Sequence, residues 1–502
     1  MQSEYVKKIL KANVYDLAVE TPVTPALNLS KRLQNNILIK REDLQPVFSF
    51  KLRGAYNKMS LLTEMEKKRG VVCASAGNHA QGVAMSAAHL GIKAVIVMPT
   101  TTPEIKVNSV RSRGAEVVLY GDTFDEACRH AFALQEKDGM TFIHPYDDPD
   151  VIAGQGTVAM ELMHQVKEDI DAIFVPVGGG GLIAGVAVYA KYLKPDIKII
   201  GVESEDSACL KSALASGKRK ILPEVGIFAD GVAVAQIGKE TFKIARKYVD
   251  EVVTVTTDEI CAAIKDLFED TRSIAEPAGA LSIAGMKKYI SREKLKRKTL
   301  VAIDSGANTS FGRLRHISER TELGAHKEAL VAVTIPEKAG SFLTFCKSLG
   351  GFNVTEFNYR FSSKADARIF VGVELKNGEK SRSLLLKNLS KDSYEVVDLT
   401  DNEMAKLHIR YMVGGHGMGV TERLFRFQFP EKPGALLKFL TAIGSRWNIT
   451  LFHYRNHAAA YGRVLMGIEA GKHDLDLKKQ LDSVGYYYSE ESDNPAYKMF
   501  LS

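Results

Sequence analysis

Through the first two thirds of the chain, short apolar runs rich in β-branched residues alternate with segments of helical period. Ile37 to Lys40, Val71 to Cys73, Ala94 to Met98, Glu116 to Tyr120, Ala172 to Val177, Ile197 to Val202 and Thr299 to Ile303 predict strands. Thr123 to Glu136, Val151 to Val166 and Leu182 to Leu193 predict helices, the last stopping before Pro195. Buried strands separated by helices predict an α/β fold built on a mainly parallel sheet with helices on both faces. A charged stretch, Phe311 to about Lys327, closes this region.

Beyond residue 328 the texture changes and an internal repeat begins. Ile335-Pro336-Glu337-Lys338-Ala339-Gly340 recurs 94 positions later as Phe429-Pro430-Glu431-Lys432-Pro433-Gly434. Asn353-Val354-Thr355-Glu356-Phe357-Asn358-Tyr359-Arg360 recurs 95 positions later as Asn448-Ile449-Thr450-Leu451-Phe452-His453-Tyr454-Arg455, and Arg368 maps to Arg463. Each copy reads strand, helix, strand, strand, helix, strand. In the first copy these are Leu330 to Ile335, Ser341 to Leu349, Val354 to Phe361, Ala367 to Leu375, Arg382 to Leu389 and Tyr394 to Leu399. That order predicts an α+β, ferredoxin-like unit, present twice. Gly-rich Val413 to Gly419 reads as the linker between copies.

The length of 502 residues, at roughly 150 per domain, gives about three domains. Lys and Arg number 67 against 60 Asp and Glu, a mild excess with no aromatic-interleaved basic patch, so a solvated surface is favoured over nucleic-acid binding. No run approaches the roughly 20 apolar residues a membrane span needs. The five cysteines (Cys73, Cys128, Cys209, Cys261 and Cys346) are scattered without a CxxC pair, so neither a disulfide framework nor a metal site is implied. The charged N-terminus, Met1 to Val19, lacks the apolar core of a signal peptide, and a reducing cytoplasm is expected.

Four segments carry candidate chemistry. In Ser49-Phe50-Lys51-Leu52-Arg53-Gly54-Ala55, Lys51 stands between an aromatic and an apolar neighbour. Lost hydration lowers a lysine's pKa and frees its amine as a nucleophile, as a Schiff-base lysine requires; the alternative is an ordinary solvated lysine. Ser75-Ala76-Gly77-Asn78-His79-Ala80-Gln81-Gly82 follows a strand and opens a small-residue helix. Amides at such a helix start suit a carboxylate, and the Asn78 amide can donate to a phenolate-like oxygen; a polar helix cap is the alternative. His79 reads as structural. Gly178-Gly179-Gly180-Gly181-Leu182 gives bare backbone amides beside a helix start, a phosphate cradle. A dinucleotide fingerprint ranks second: Glu203 ends the next strand, but Ile183 stands where the third glycine belongs. In Asp304-Ser305-Gly306-Ala307-Asn308, after a strand, Ser305 can set a hydroxyl beside a ring nitrogen, or the segment is simply a turn. Together these are the parts that hold pyridoxal 5′-phosphate.

At these residues the chain resembles the biosynthetic threonine deaminases of the β-family of pyridoxal-phosphate enzymes. The SFKLRGA, SAGNHAQG, GGGGL and SGAN segments match in order, and the two repeats resemble paired ACT-like regulatory subdomains. The resemblance implies a fold type II catalytic domain over residues 1–322 and ACT-like subdomains over 328–412 and 420–502. It implies that Lys51 carries the cofactor and acts catalytically. Asn78 contacts the 3′-oxygen, Gly178, Gly179, Gly180, Gly181 and Leu182 hold the phosphate, Ser305 faces the pyridine nitrogen, and Phe50 packs near the ring. Ser75, Ala76 and Gly77 receive the substrate carboxylate. Glu276 is expected near the ring or as a helix start. Asp304 departs from the small or apolar residue expected there; its side chain is expected to point away from that of Ser305.

The implied activity is deamination of L-threonine to 2-oxobutanoate and ammonia, the first step of isoleucine biosynthesis. Isoleucine is the implied inhibitor, valine its antagonist, and the assembly a homotetramer. Gly340, Asn353, Tyr359, Arg360, Gly434, Asn448, Tyr454 and Arg455 are candidate effector contacts, or else hold the subdomains together. Two alternatives stay open: a serine dehydratase or racemase of the same fold, and an amino-acid sensor whose catalytic part is dead.

Overall fold

A computed structural model describes residues 1–336, 345, 348–349, 352, 354–359, 366–411, 422–430, 447, 449–455, 461–470 and 475–501. The chain divides into two compact units, Met1–Ile317 and Ser318–Ser502, with the division inside the helix Arg313–Gly324.

The alternating region forms two sheets rather than one. The larger runs Val23–Pro25, Asn36–Arg41, Thr299–Asp304, Ala172–Pro176, Lys198–Ser204, Glu251–Val255. All its neighbours are parallel except the first pair. The smaller runs Glu116–Leu119, Ala94–Met98, Val71–Ala74, Thr141–Phe142, entirely parallel. Both are buried on two faces, which is why their strands read as unbroken apolar runs. In Ala172–Pro176, Ile173 and Val175 pack into one core while Ala172 and Phe174 pack into the opposite one. Likewise Val71 and Cys73 face one side of the smaller sheet, Val72 and Ala74 the other.

Helix starts follow local capping. Thr123 accepts from the Glu126 amide while Glu126 returns a bond to the Thr123 amide, which fixes the start of Phe124–Asp138. Asp148 and Pro149 start Pro149–Gln165 in the same place-specific way. The charged stretch after Phe311 is the helix Arg313–Gly324. The candidate segments all lie where strands hand over to helices or loops, at strand carboxyl ends.

In the second unit, Glu328–Pro336, Val354–Tyr359, Asp366–Glu374 and Glu395–Asp398 form an antiparallel sheet in which the first strand lies between the third and fourth. Glu422–Pro430, Ile449–Arg455, Tyr461–Glu469 and Tyr487–Glu490 repeat that order. It is the strand order of the split βαβ. Even the register irregularity recurs, at Val354/Glu356 and Ile449/Leu451. A short helix follows each fourth strand, Glu403–Leu407 and Pro495–Phe500, which the sequence reading did not anticipate. These helices join residues of both repeats in one core: Leu330 and Phe370 with Leu424, Leu465, Met404 and Phe500.

Candidate active site

Lys51 opens the helix Lys51–Ser60, directly after an isolated bridge between Ser49 and Gly306. Its Nζ donates to the Pro145 carbonyl at 2.9 Å and stands 5.3 Å from the Phe50 ring centre. Burial removes hydration from the ammonium, and the Lys51 pKa falls to about 8 despite the opposing pull of Glu276.

From Lys51 the contacts run in a closed ring. Tyr146, next to Pro145, covers the glycine loop: a Cβ on Gly179 would lie 2.2 Å from its ring, and one on Gly181 3.1 Å from its Cα. A Cβ on Gly178 would lie 3.0 Å from the Val232 Cα. Beside Val232, a Cβ on Gly231 would meet the Ala278 side chain at 2.9 Å and the Glu276 Oε1 at 3.5 Å. Asn78 Nδ2 donates to Glu276 Oε1 at 2.6 Å. The Glu276 amide donates to the Gly306 carbonyl at 3.0 Å, and Phe50 N donates to the Ser305 carbonyl at 3.2 Å, which returns to Lys51. Residues from seven separate segments of the chain thus meet in one ring of contacts.

The glycine loop is shaped for an anion. Gly180 has φ of +91°, a conformation that favours glycine, and a Cβ there would strike Ile237 at 2.7 Å. The loop carbonyls are occupied: Gly178 O by Cys209 Sγ, Gly179 O by Thr241 Oγ1, Gly180 O by Ala184 N. Among the described residues no protein group takes the N–H hydrogens of Gly178 to Gly181. They stand at the start of Gly181–Leu193, where the helix dipole favours a phosphate. Gly77 precedes the helix Asn78–Leu90, and nothing lies within 4 Å of where its Cβ would be. Together with the Ser75 hydroxyl, which accepts from Gly77 N at 3.3 Å, this leaves room for a carboxylate. An amine poised near neutrality, a bare four-glycine cradle and an open carboxylate corner fit pyridoxal phosphate and an amino acid.

Other expectations resolve individually. Ser305 is buried and its hydroxyl donates to the Ala278 carbonyl at a long 3.3 Å, so its hydrogen is easily redirected. Asp304 turns toward Gly279 and Gly306 and pairs in the sheet with Arg41. Burial, and then Asp43, raise its carboxyl well above the ordinary range. Glu276 stands at the N-cap of Pro277–Glu293 without capping it; its side chain points to Asn78 instead. Burial raises its carboxyl to about 7, with Asp230 adding to the effect. His79 is buried on the Ile143 carbonyl, and burial lowers its pKa to about 3, leaving it neutral and structural. Glu203 does not face a ribose site: its carboxylate accepts from Leu210 N at 2.7 Å and Lys211 N at 2.9 Å, holding the helix Cys209–Ser216.

Sequence reasoning missed Pro145, Tyr146, Gly231 and Thr241. Pro145 and Tyr146 lie in a loop, Gly231 in a short 3-10 helix and Thr241 in the helix Lys239–Tyr248, none with a spacing signal; only the 3D path brings them to the lysine and the loop. Of the effector candidates, Gly340, Asn353, Arg360, Gly434 and Asn448 lie outside the described residues. Tyr359, Tyr454 and Arg455 lie on strands, with side chains outside the description.

Comparison with known proteins completes the picture. The pyridoxal-phosphate dependent enzyme family matches residues 14–306, and the C-terminal regulatory domain of threonine dehydratase matches 319–409 and 415–501. The biosynthetic L-threonine dehydratase of Escherichia coli is 56% identical over 501 residues, covering 100% of this chain and 97% of its own. The mitochondrial threonine dehydratase of Saccharomyces cerevisiae is 50% identical over 99% of this chain and 89% of its own. Among solved structures, threonine deaminase isoform 2 from Solanum lycopersicum superposes with a TM-score of 0.63 and 52% identity, covering 64% of this chain and 93% of that one. A serine racemase from Dictyostelium discoideum gives a TM-score of 0.57 and 34% identity over 61% of this chain and 99% of that one. The chain belongs to the pyridoxal-phosphate-dependent enzymes, in the family of biosynthetic threonine dehydratases that carry a paired C-terminal regulatory domain.

Proposed function

We propose that this chain dehydrates and deaminates L-threonine to 2-oxobutanoate and ammonia, as the feedback-regulated entry to isoleucine biosynthesis. The observation that carries the reading is the closed ring of contacts joining Lys51, the glycine loop, Asn78, Glu276 and the Ser305 segment.

Bound pyridoxal phosphate supplies an electron sink for the charge left when the Cα proton is removed. Gly178 to Gly181 and Leu182 would hold its phosphate, Phe50 would flank its ring, the Asn78 amide would donate to its ring oxygen, and the Ser305 hydroxyl would serve its ring nitrogen. Lys51 would carry the cofactor and, with its amine free, would move the Cα proton. A pKa near 8 lets the amine hold and release a proton at neutral pH. The Pro145 carbonyl fixes the amine's position when it is not bonded. The amides at Ser75, Ala76 and Gly77 orient the substrate through its carboxylate. A serine rather than a carboxylate beside the ring nitrogen would leave that nitrogen less protonated, which would suit elimination of the β-hydroxyl.

Residues 1–322 form the catalytic domain and 328–412 with 420–502 the regulatory pair. The boundary between compact units at Ile317/Ser318 and the two identically ordered sheets support this division. Isoleucine is the inhibitor bound by the pair, valine its antagonist, and the active assembly a homotetramer. A reducing cytoplasm suits the four described cysteines, Cys73, Cys128, Cys209 and Cys261, which carry thiols rather than disulfides. Among the described residues no helix is long and apolar enough to cross a membrane.

The test measures 2-oxobutanoate from threonine against pyruvate from serine, in the purified holoenzyme and in Lys51→Ala. We expect visible absorbance and preferred turnover of threonine, both lost in the variant. A colourless protein would favour the inactive sensor; preference for serine would favour the serine dehydratases and racemases of the same fold.

A further inference from the structure

Asn308 belongs to the segment after Thr299–Asp304 but has no role in the site described so far. Its Nδ2 donates to the Val47 carbonyl at 2.7 Å and to Asn78 Oδ1 at 2.6 Å. An amide nitrogen carries two hydrogens, so both are spent. Asn78 must therefore turn its oxygen to Asn308 and its nitrogen to the other side. There Asn78 Nδ2 gives one hydrogen to Glu276 Oε1 and keeps one for a ligand.

Glu276 is held in place for this. It is 4% exposed, and Gly306 and Gly231 close around it: a Cβ on Gly306 would lie 2.8 Å from Glu276 Oε1. Lys51 faces it electrostatically from one helix; Asp230, Lys106 and Arg313 face it from the other side, and Asp304 from the neighbouring strand. Asn78 is thus clamped between a saturated donor and an enclosed carboxyl.

We infer that Asn308 is a positioning residue for the reaction: it locks the Asn78 amide so that a nitrogen, never an oxygen, faces the cofactor's ring oxygen. The inference rests on the proposal that Asn78 faces that oxygen. A flipped Asn78 would set two electron-rich oxygens against each other and destabilise the cofactor's ionised form. With both amide hydrogens given to Val47 and Asn78, Asn308 acts through Asn78.

The test compares Asn308→Asp, Asn308→Ala and Asn78→Ala holoenzymes, without substrate. Asn308→Asp keeps the size but replaces the donor nitrogen with an acceptor that repels Asn78 Oδ1 and the Val47 carbonyl. The readout is the visible absorbance as a function of pH, with cofactor retention on dialysis; thermal melting followed by circular dichroism reports folding. We expect the absorbance midpoint to move by about one pH unit in Asn308→Asp and less in Asn308→Ala, the interaction of one charge-assisted hydrogen bond. Cofactor loss on dialysis should speed up in the same order; in separate steady-state assays with threonine, kcat should fall more than KM rises. If Asn78→Ala moves the midpoint and both folded Asn308 variants keep the parental one, the inference fails and the site reading stands. If Asn78→Ala also keeps the parental midpoint, Asn78 does not face the ring oxygen and the site reading itself fails. Should Asn308→Asp not fold, Asn308→Ala alone decides between these outcomes.

Discussion

Lys51 reacts as it does because of what surrounds its amine. Phe50 and the buried helix start remove water, and among the described residues only the Pro145 carbonyl accepts a hydrogen from it. The charged form is the one penalised, so the pKa moves down, to about 8. Only the neutral amine attacks an electrophile. In cofactor-free protein, carbamylation of Lys51 by cyanate should therefore reach half its limiting rate near pH 8, against about 10.4 for ordinary lysines. Peptide mass spectrometry across a pH series reads this directly, and a midpoint above pH 9.5 would refute the desolvated amine. The cause was legible in the sequence because Phe50 and Leu52 adjoin the lysine. Glu276 was less legible. Glu before Pro reads as a helix N-cap, and the residue is indeed at that position. What the chain order does not carry is that Asn78, 198 residues away, offers its side chain a better partner than the helix does. Asp304 was less legible still: its Oδ1 lies beside Gly279 and Gly306, and burial, then Asp43, raise its carboxyl pKa, which no local pattern reveals.

Between the lysine and the glycine loop the elements meet through small residues. Pro149–Gln165 lies between Lys51–Ser60 and Gly181–Leu193 and touches both through glycines. A Cβ on Gly154 would lie 2.6 Å from the Arg53 carbonyl and 2.7 Å from the Gly54 Cα; one on Gly185 would lie 2.6 Å from the Gly156 amide. Where these helices cross, Arg53 binds Glu42 and Glu161, and Lys40 binds Glu161 at 2.5 Å, all of them buried. This pairing fixes the register of the helix that starts at Lys51, and it cannot yield without stranding a buried charge. Gly154→Ala should therefore lower stability by about 1–3 kcal/mol, as overpacking does, and should also reduce kcat by displacing Lys51. Chemical denaturation and steady-state kinetics check both; parental values for both would mean the helices slide apart freely. Helix and strand positions were largely readable, because period and capping are local. The split into two sheets was not: alternation tells that strands run parallel, while Val72 pairing with Val95, or Ala302 with Phe174, is set by packing across the chain. The helices Glu403–Leu407 and Pro495–Phe500 escaped notice because each is too short for a period to show.

At the scale of the molecule, the repeat was visible from its identities at near-fixed offset, and it returns as two sheets of one strand order. What the sequence hid is that the copies share a core through their closing helices, Met404 and Ile409 packing with Met499 and Phe500. Two repeats with one core give an effector proposed to bind either copy a packed route to the other. Inhibition requires that isoleucine bind two states of the enzyme unequally, typically by 1–3 kcal/mol, or about 5–150-fold in affinity. In the full chain, isoleucine should raise the half-saturating threonine concentration by a factor in that range, and valine should reverse it. Deleting residues 328–502 keeps the helix Arg313–Gly324 whole and removes both sheets. The shortened enzyme should still form 2-oxobutanoate from threonine, with a threonine saturation curve that isoleucine no longer moves. Saturation curves of both forms, with and without isoleucine, separate the possible failures. An active shortened enzyme that isoleucine still inhibits would place the effector site in the catalytic unit. A full chain indifferent to isoleucine would remove the effector assignment and leave the lyase untouched, because nothing in the ring from Lys51 to Ser305 draws on a residue beyond the first unit.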